Sequence, residues 1–372
     1  MSKELHSLYI HFPYCKSHCN YCDFYSELGN SPSNLLLYGS SLARAWEKQG
    51  VLFKEHDYVY APLKTLYLGG GTPSLWGKSG VRFFQKLFLE NKIKFAKNYE
   101  WTLEMNPGAY EQDILKEFEA LGLNRYSVGV QTCDSDLLKI LGRTHSVEES
   151  RAALEFLKGK NFSIDLMLGL PFSEGKRRVL DELKELLEFG PTHLSVYILT
   201  VDENYPYYKN LPSEEWIEKE YLLVSEFLTE HGFLHYEVSN FAREGFEAQH
   251  NLQYWKSESV AALGPSATGL LVHEKTAIRY KWDEGGNEYL LESLDEDALK
   301  LEKFYMRFRT NLGISFNDFF KVEDQKIFEE ICQAWHTRGL ISVSQKGIFL
   351  TAQGFLILDS LMNELFFKIK SL

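Results

Sequence analysis

The N-terminal half of the chain alternates short, almost continuous apolar runs with longer segments whose hydrophobic residues recur at helical spacing. The runs predict six strands: Ser7–Phe12, Lys64–Leu68, Glu100–Met105, Arg125–Val130, Ser163–Leu168 and His193–Leu199. Apolar runs of this length are typical of parallel strands that are buried on both faces. The pattern therefore favours a buried parallel sheet.

The segments between these strands carry a helical period. The clearest predicted helices are Leu35–Gln49, Val81–Leu89, Glu111–Leu121, Val147–Leu157 and Arg178–Phe189. Ser146 and Glu149 stand at the spacing of a capping box, which marks the start of one of them. Repeated strand–helix units require a parallel sheet with right-handed crossovers. Six such units predict an α/β fold, a partial (β/α)6 barrel rather than a closed barrel of eight units.

The pattern changes in the C-terminal part. A helix at Glu214–Glu230 and a strand-like segment at Phe233–Val238 precede a break at Gly285-Gly286-Asn287. The elements predicted beyond it are helices at Ala298–Phe308, Gln325–Arg338 and Gln353–Phe367 and a hairpin formed by Gly339–Ser344 and Gly347–Leu350. We therefore predict a partial barrel with an extension over residues 1–282 and a small, mostly helical, winged-helix-like domain over residues 283–372.

The composition and the net charge of the chain argue against some classes of function. The chain has 372 residues, of which 44% are hydrophobic and 25% charged, as in an ordinary globular protein. Its net charge of -12 argues against a nucleic-acid-binding enzyme, which usually carries a basic stripe. No apolar run approaches the length that crosses a bilayer, and the first predicted strand begins too early for a targeting segment. We therefore expect no integral membrane segment, and the cysteines, which favour free thiols and a cluster loop over disulfides, point to a reducing cytoplasm.

Three cysteines lie close together directly after the first predicted strand: Cys15, Cys19 and Cys22. A [4Fe–4S] cluster normally takes four thiolates, so three thiolates from one loop leave one iron open to a ligand that is not protein. A zinc site that adds His11 or His18 stays open as an alternative, although zinc motifs usually place their ligands as two separated pairs. The spacing favours the iron–sulfur interpretation.

Polar residues and glycines follow the other predicted strands, where the mouth of a barrel assembles its site. These candidates are Gly69–Pro73 after the second strand, Glu104–Pro107 after the third, Gln131 and Arg143 after the fourth, and Asp165 within the fifth. Glycines let backbone N–H groups approach a ligand closely, and an arginine can clamp a carboxylate. Asp165 stands in an apolar strand, where a carboxylate is costly unless it is hydrogen-bonded. It is therefore a stronger functional candidate than most acids of the chain.

Aromatic residues are abundant, with 26 Phe and 21 Tyr. They can line a pocket for a flat apolar ligand, but packing in the core explains their number more simply. The segment Tyr236–Gly269 mixes aromatic and small residues with His250, and an exposed histidine can serve as an axial ligand of heme iron. A long, well-anchored polar loop is the simpler interpretation of this segment.

Together these motifs resemble those of the radical SAM superfamily, and within it the branch that is similar to coproporphyrinogen oxidase. The motifs are Tyr9–Cys15 with the rest of the cysteine loop, Gly69–Pro73, Glu104–Pro107, Val128–Gln131, Leu141–Arg143 and Asp165–Pro171. The resemblance covers nearly the whole chain. It implies that the three cysteines Cys15, Cys19 and Cys22 hold a [4Fe–4S] cluster whose open iron is chelated by S-adenosylmethionine. The positions that match S-adenosylmethionine contacts are Tyr9, Tyr21, Gly70, Gly71, Thr72, Glu104, Gln131, Arg143 and Asp165.

One position separates two subgroups of this branch. The oxygen-independent coproporphyrinogen III oxidases carry a further cysteine two residues after the third, where this chain has Phe24. Phe24 and the motif His250–Trp255, which is tied to heme binding in the HemW subgroup of heme chaperones, resemble that subgroup. The resemblance therefore favours a chaperone that binds heme with the help of His250 and delivers it to heme-accepting proteins. The alternative is an oxidase that decarboxylates a porphyrinogen.

Overall fold

The computed structural model describes residues 2–29, 31–90, 93–319, 324–344 and 347–369, which form an α/β fold around a large sheet. The strands are β1 (Lys3–Phe12), β2 (Tyr14–Cys15), β3 (Glu27–Leu28), β4 (Tyr58–Gly70), β5 (Phe95–Met105), β6 (Arg125–Gln131), β7 (Phe162–Leu168), β8 (His193–Ile198), β9 (Leu234–Glu237), β10 (Asn240–Ala242), β11 (Ala261–Leu263), β12 (Thr268–His273), β13 (Thr276–Trp282), β14 (Tyr289–Leu294), β15 (Ile341–Ser344) and β16 (Gly347–Leu350). The helices are α1 (Pro32–Glu55), α2 (Gly77–Glu90), α3 (Gln112–Leu121), α4 (Ser135–Ile140), α5 (Val147–Leu157), α6 (Val179–Leu187), α7 (Glu214–Glu230), α8 (Gln249–Trp255), α9 (Glu296–Phe308), α10 (Phe316–Phe319), α11 (Gln325–Thr337), α12 (Ala352–Leu356) and α13 (Leu358–Lys368).

The large sheet has nine strands in the order β11-β1-β4-β5-β6-β7-β8-β10-β9. Neighbours from β11 to β8 are parallel, whereas β10 pairs antiparallel with both β8 and β9. The strands β1, β4, β5, β6, β7 and β8 correspond to the six predicted ones, and at least one helix follows each of them. The prediction of a partial (β/α)6 barrel is confirmed.

The barrel helices begin and end where local chemistry favours it. The predicted capping box is present, because the Ser146 hydroxyl accepts from the N–H of Glu149 and the Glu149 carboxylate accepts from the N–H of Ser146. α1 starts with Ser31 as its N-cap and Pro32 in the first turn. α3 ends at Gly122, whose φ of 115° suits a residue without Cβ. Within the described ranges, no helix is long and apolar enough to cross a bilayer.

The two faces of the barrel strands differ. Residues such as Leu66, Leu68, Leu103, Val128, Ile164 and Leu166 are fully buried in the main hydrophobic core. Their neighbours in sequence point to the other face and bond to one another across strands, as Tyr67 does to Glu104 and Ser127 to Asp165. Because side chains alternate along a strand, the barrel has an apolar outside under its helices and a polar inside.

The segment Tyr236–Gly269 is not the long polar loop that was the simpler expectation. It contains β10, α8 and β11. The three residues of β11 are fully buried and pair in parallel with Leu8–Ile10 of β1. The N–H groups of Gln249 and His250, at the start of α8, donate to the Glu100 carboxylate at 2.9 and 3.0 Å. Pairing and capping by distant residues, which local sequence does not reveal, order this segment.

The C-terminal part has its own hydrophobic core, built from residues between Phe304 and Ile369. The prediction of a continuous terminal helix is wrong, because Ile357 adopts φ −117° and ψ 24° and separates α12 from α13. The predicted glycine break lies in the turn between β13 and β14, which pair with each other. The division into domains at residues 282/283 stays a prediction. The β13–β14 hairpin spans this position, and the second core begins later in the chain.

Candidate functional site

The three cysteines of the loop lie at the end of β1, within reach of side chains from other strands. Cys15 belongs to the short strand β2, and the N–H of Cys22 donates to the carbonyl of Cys19 at 3.3 Å. The Thr72 hydroxyl donates to the Cys15 sulfur at 3.6 Å, and Nη1 of Arg143 donates to the Cys19 sulfur at 3.7 Å. Hydrogen bonds to sulfur are among the contacts that tune an iron–sulfur cluster.

The donor set fits a [4Fe–4S] cluster. Each thiolate of such a cluster binds its own iron atom, so the three sulfurs need not converge on one point. In the part of the chain that the structure describes, no three His, Cys, Asp or Glu side chains converge as a single metal ion requires. Gly71 leaves the loop room, because a Cβ there would lie 3.0 Å from the Cys15 sulfur and 2.7 Å from the Tyr14 carbonyl oxygen.

Asn106 links the groups that contact the two sulfurs. Its Nδ2 donates to the Thr72 hydroxyl at 2.8 Å, and its Oδ1 accepts from Nη2 of Arg143 at 2.6 Å. The same guanidinium nitrogen donates to the Gly129 carbonyl at 2.7 Å. Asn106 therefore fixes Thr72 and Arg143 together, and both are held before any ligand binds.

Glu104 stands near the end of β5 and faces the glycine-rich end of β4. Its carboxylate accepts from the Tyr67 hydroxyl at 2.7 Å and from the N–H of Gly70 at 3.0 Å. Burial raises the pKa of Glu104 to about 7, against the opposing effect of the Tyr67 hydrogen bond. A Cβ at Gly69 would lie 3.0 Å from this carboxylate, so the glycine permits the contact. The result is an acid whose charge changes close to neutral pH.

Asp165 has the hydrogen bond that its apolar strand requires. The Ser127 hydroxyl lies 3.1 and 3.3 Å from the two carboxylate oxygens. Burial raises the pKa of Asp165 to about 6, and hydrogen bonds from Ser195 and Ser127 oppose this effect. A second carboxyl group with a raised pKa therefore lies on the inner face of the barrel.

Gln131 has a strained backbone at the end of β6. Its φ of 70° is left-handed, which costs a residue with a side chain about 1–3 kcal/mol. The pairing of β6 with β7 shifts by a residue between Gly129 and Gln131, which marks a bulge. A Cβ at Gly129 would lie 2.9 Å from Oδ1 of Asn106 and 3.0 Å from Nη2 of Arg143. The bulge thus brings the backbone close to the polar network and turns Gln131 into the site.

These residues line one cavity of about 660 Å³, which we call the mouth cavity. The predicted residues in its lining are Cys15, Cys19, Tyr21, Cys22, Gly70, Gly71, Thr72, Glu104, Gln131, Arg143 and Asp165. The volume is within the range of sites for small molecules and cofactors. The structure brings together all the predicted site residues except Tyr9 and His250.

Tyr9 lines another cavity, of about 550 Å³, which we call the second cavity. The Tyr9 hydroxyl lies 3.0 Å from Nδ1 of His11, and Nε2 of His11 lies 2.9 Å from the Tyr25 carbonyl oxygen. The two cavities adjoin, since Asp23 and Phe24 line both. The contact between Tyr9 and S-adenosylmethionine stays a prediction.

His250 is buried, so it lacks the exposure that an axial ligand of heme iron needs. It is 1% exposed, and its Nδ1 lies 2.8 Å from the Thr65 hydroxyl. Its ring stacks on that of Tyr67 at 5.1 Å, and Nε2 is buried without a hydrogen-bond partner among the described residues. Burial lowers the pKa of His250 to about 3, so the ring is neutral. Its role in heme binding stays a prediction, and direct ligation would require Nε2 to become accessible.

Sequence reasoning missed three side chains of the site. Tyr67 and Ser127 bond to the two buried carboxylates, and the alternation along β4 and β6 could have placed them on the inner face. His145 lines the mouth cavity two residues after Arg143, and its buried Nε2 has no partner among the described residues. Burial lowers the pKa of His145 to about 4. No local pattern distinguishes it from an ordinary loop histidine.

Comparison with known proteins places this site in a family. The radical SAM superfamily profile matches residues 9–178, and this superfamily implies a [4Fe–4S] cluster and S-adenosylmethionine. The heme chaperone HemW of Buchnera aphidicola (subsp. Schizaphis graminum) is 38% identical over 268 residues, which cover 71% of this chain and 69% of the relative. The heme chaperone HemW of Haemophilus influenzae is 33% identical over 317 residues, which cover 82% of each chain.

A solved structure supports the same fold. Coproporphyrinogen III oxidase (HemN) from Escherichia coli, a radical SAM enzyme, superposes with a TM-score of 0.78 and covers 97% of this chain and 89% of its own. Its identity of 22% supports a likeness of fold alone. The sequence relatives, matched over most of their length, decide the family. The chain belongs to the HemW family of the radical SAM superfamily.

Proposed function

We propose that this protein is a heme chaperone that binds a [4Fe–4S] cluster, S-adenosylmethionine and heme and delivers heme to target proteins. The observation that carries the proposal is the match, over most of both chains, to relatives named heme chaperones. Phe24 supports it, because it stands at the position where the oxidases carry a further cysteine. We also propose that the protein works in the cytoplasm and has no nucleic-acid partner, in keeping with its net charge of -12.

The mouth cavity supports the cofactor part of this proposal. Cys15, Cys19 and Cys22 would hold the cluster, which when bound supplies electrons for reductive chemistry on a sulfonium ligand. Glu104 offers a carboxylate to the amino group of S-adenosylmethionine, and Arg143 adds positive charge for the ligand's carboxylate. Both groups are fixed by hydrogen bonds within the protein, so little ordering is needed when the ligand binds.

Gln131 and Asp165 would bind the other polar groups of S-adenosylmethionine. Both line the mouth cavity, and a carboxylate or an amide oxygen can accept hydrogen bonds from ribose hydroxyls. Gln131 has a left-handed backbone at the point where it lines the cavity. Thr72, beside the cysteine loop, and Tyr21, within it, also line the cavity.

The test combines heme uptake and porphyrinogen turnover in one anaerobic sample of reconstituted protein. We expect heme to give a saturable Soret band, and apomyoglobin added as a model acceptor to withdraw the heme. We expect no sustained formation of protoporphyrinogen from coproporphyrinogen III with a reductant and S-adenosylmethionine. Absence of a saturable Soret band would exclude the chaperone function, and steady decarboxylation would establish the oxidase instead.

A further inference from the structure

The second cavity is lined by aromatic rings from separate parts of the chain. Tyr9 comes from β1, Phe24 and Tyr25 follow the cysteine loop, and Tyr254 comes from α8. Phe24 is 72% exposed, an unusual position for a large apolar side chain. These rings share the lining of this cavity, which has a volume of about 550 Å³, with Ser266, Ala267 and Thr268, so ring faces lie beside hydroxyl groups.

The polar groups of this cavity differ in exposure: the histidine is buried and the charged side chains are exposed. His11 is 5% exposed, and both of its ring nitrogens are engaged, with the Tyr9 hydroxyl and the Tyr25 carbonyl. The charged residues of the lining, Asp23, Lys281 and Glu284, are all exposed. The less exposed part of the lining is therefore uncharged and has tyrosine rings beside small residues, and the rim carries one cation and two carboxylates. Such a lining offers ring faces to a flat ligand, and its histidine has no free ring nitrogen for a metal ion.

The motif His250–Trp255 reaches this cavity through Tyr254 rather than through its histidine. The His250 ring packs against that of Tyr254 at 5.4 Å and against that of Tyr9 at 6.2 Å. Both of these rings line the second cavity, whereas His250 lies behind them. His250 is thus a positioning residue that supports the aromatic wall.

We propose that the second cavity holds heme by stacking of its flat ring against Tyr9, Phe24 and Tyr254, with a propionate at the rim beside Lys281. This inference rests on the proposed function and adds where heme lies and what is recognised. Because Asp23 and Phe24 also line the mouth cavity, heme would lie next to S-adenosylmethionine. The carboxylates of Asp23 and Glu284 oppose propionate binding, and their exposure limits that effect.

The test titrates heme and metal-free protoporphyrin IX into the reconstituted full-length protein at low salt. We expect the two Kd values to agree within about threefold, because stacking does not need iron. Phe24→Ala should raise both Kd values about tenfold. Lys281→Glu should raise and Glu284→Lys should lower them about threefold, and both effects should shrink at high salt. Leu89→Ala, at an 81% exposed residue of α2 outside both cavity linings, is the control and should change neither value.

The outcomes separate this inference from the proposed function. If the wild-type protein binds no heme, both are overturned. If it binds heme but not the metal-free porphyrin, or if the Lys281 and Glu284 variants both match the wild type, the second cavity is excluded and the chaperone function stands. Thermal melting checks that Phe24→Ala folds, and the two charge variants keep the test decisive if it does not.

Discussion

The two cavities share Asp23 and Phe24, yet they are built from different chemistry. The mouth cavity combines apolar residues with polar side chains that are hydrogen-bonded to one another, such as Thr72, Asn106 and Arg143. The second cavity has aromatic rings from three parts of the chain beside small residues, and its charged side chains are exposed. A charged ligand with many hydrogen bonds needs fixed polar partners, whereas a flat apolar ring needs apolar area. We therefore propose a different ligand for each of the two neighbouring cavities.

The largest expected effect is the loss of the cluster while heme binding at the second cavity is kept. Cys19→Ala removes one of three thiolates, so we expect nearly complete loss of iron, sulfide and brown absorbance after anaerobic reconstitution. Heme uptake should change little, because Cys19 does not line the second cavity. Cys133→Ala is the matched control, since this thiol lies outside both cavity linings and should leave the iron content unchanged. Full cluster content in Cys19→Ala would remove this residue from the ligand set.

The next effect concerns the polar network of the mouth cavity. Arg143→Ala removes charged hydrogen bonds to Asn106 and Gly129, and we expect the Kd for S-adenosylmethionine to rise about 10- to 100-fold. Heme affinity should stay near the wild-type value. Arg151→Ala removes an arginine that bonds to Glu185 on the outer surface and serves as the control. Isothermal titration of both ligands checks this, and equal losses for both would show that the two sites are not independent.

His250→Ala tests how this histidine acts. Removing a buried ring that bonds to Thr65 should lower the free energy of unfolding by about 1–3 kcal/mol. Heme affinity should fall because Tyr9 and Tyr254 lose their support, while the position and shape of the Soret band stay the same. His250→Gln, which keeps a polar group near Thr65, should recover part of both losses. A changed iron spectrum in either variant would instead identify His250 as an axial ligand.

The smallest effect is the pH dependence of S-adenosylmethionine binding. The pKa values of Glu104 and Asp165 are raised by burial to about 7 and about 6, so both carboxyls are largely protonated at pH 5 and ionised at pH 8. Because the ligand carries positive charge, its affinity should rise severalfold from pH 6 to pH 8. Glu104→Gln should flatten most of this rise.

The same raised pKa values also affect folding stability. They add to the free energy of unfolding at low pH, and this contribution is lost as the pH rises through 6 and 7.

Much of the barrel could be predicted from the sequence because its elements are local. Near-continuous apolar runs set the six strands, and the capping box at Ser146 set the start of α5. The cysteine spacing and the polar residues after each strand predicted the mouth cavity, since parallel strands bring their carboxyl ends to one edge. The prediction failed for Tyr236–Gly269, where β11 depends on pairing with β1.

The sequence by itself determined the donor set, the order of the strand–helix units and the family, because each rests on residue types at short spacing. Only the tertiary structure decided the depth at which each side chain lies. His250 is held by Thr65, which is 185 residues away in sequence, and Tyr9 faces a different cavity from the cysteines that follow it. Alternation along a strand assigns a side chain to one face of the sheet, but long-range packing decides what occupies the space in front of it.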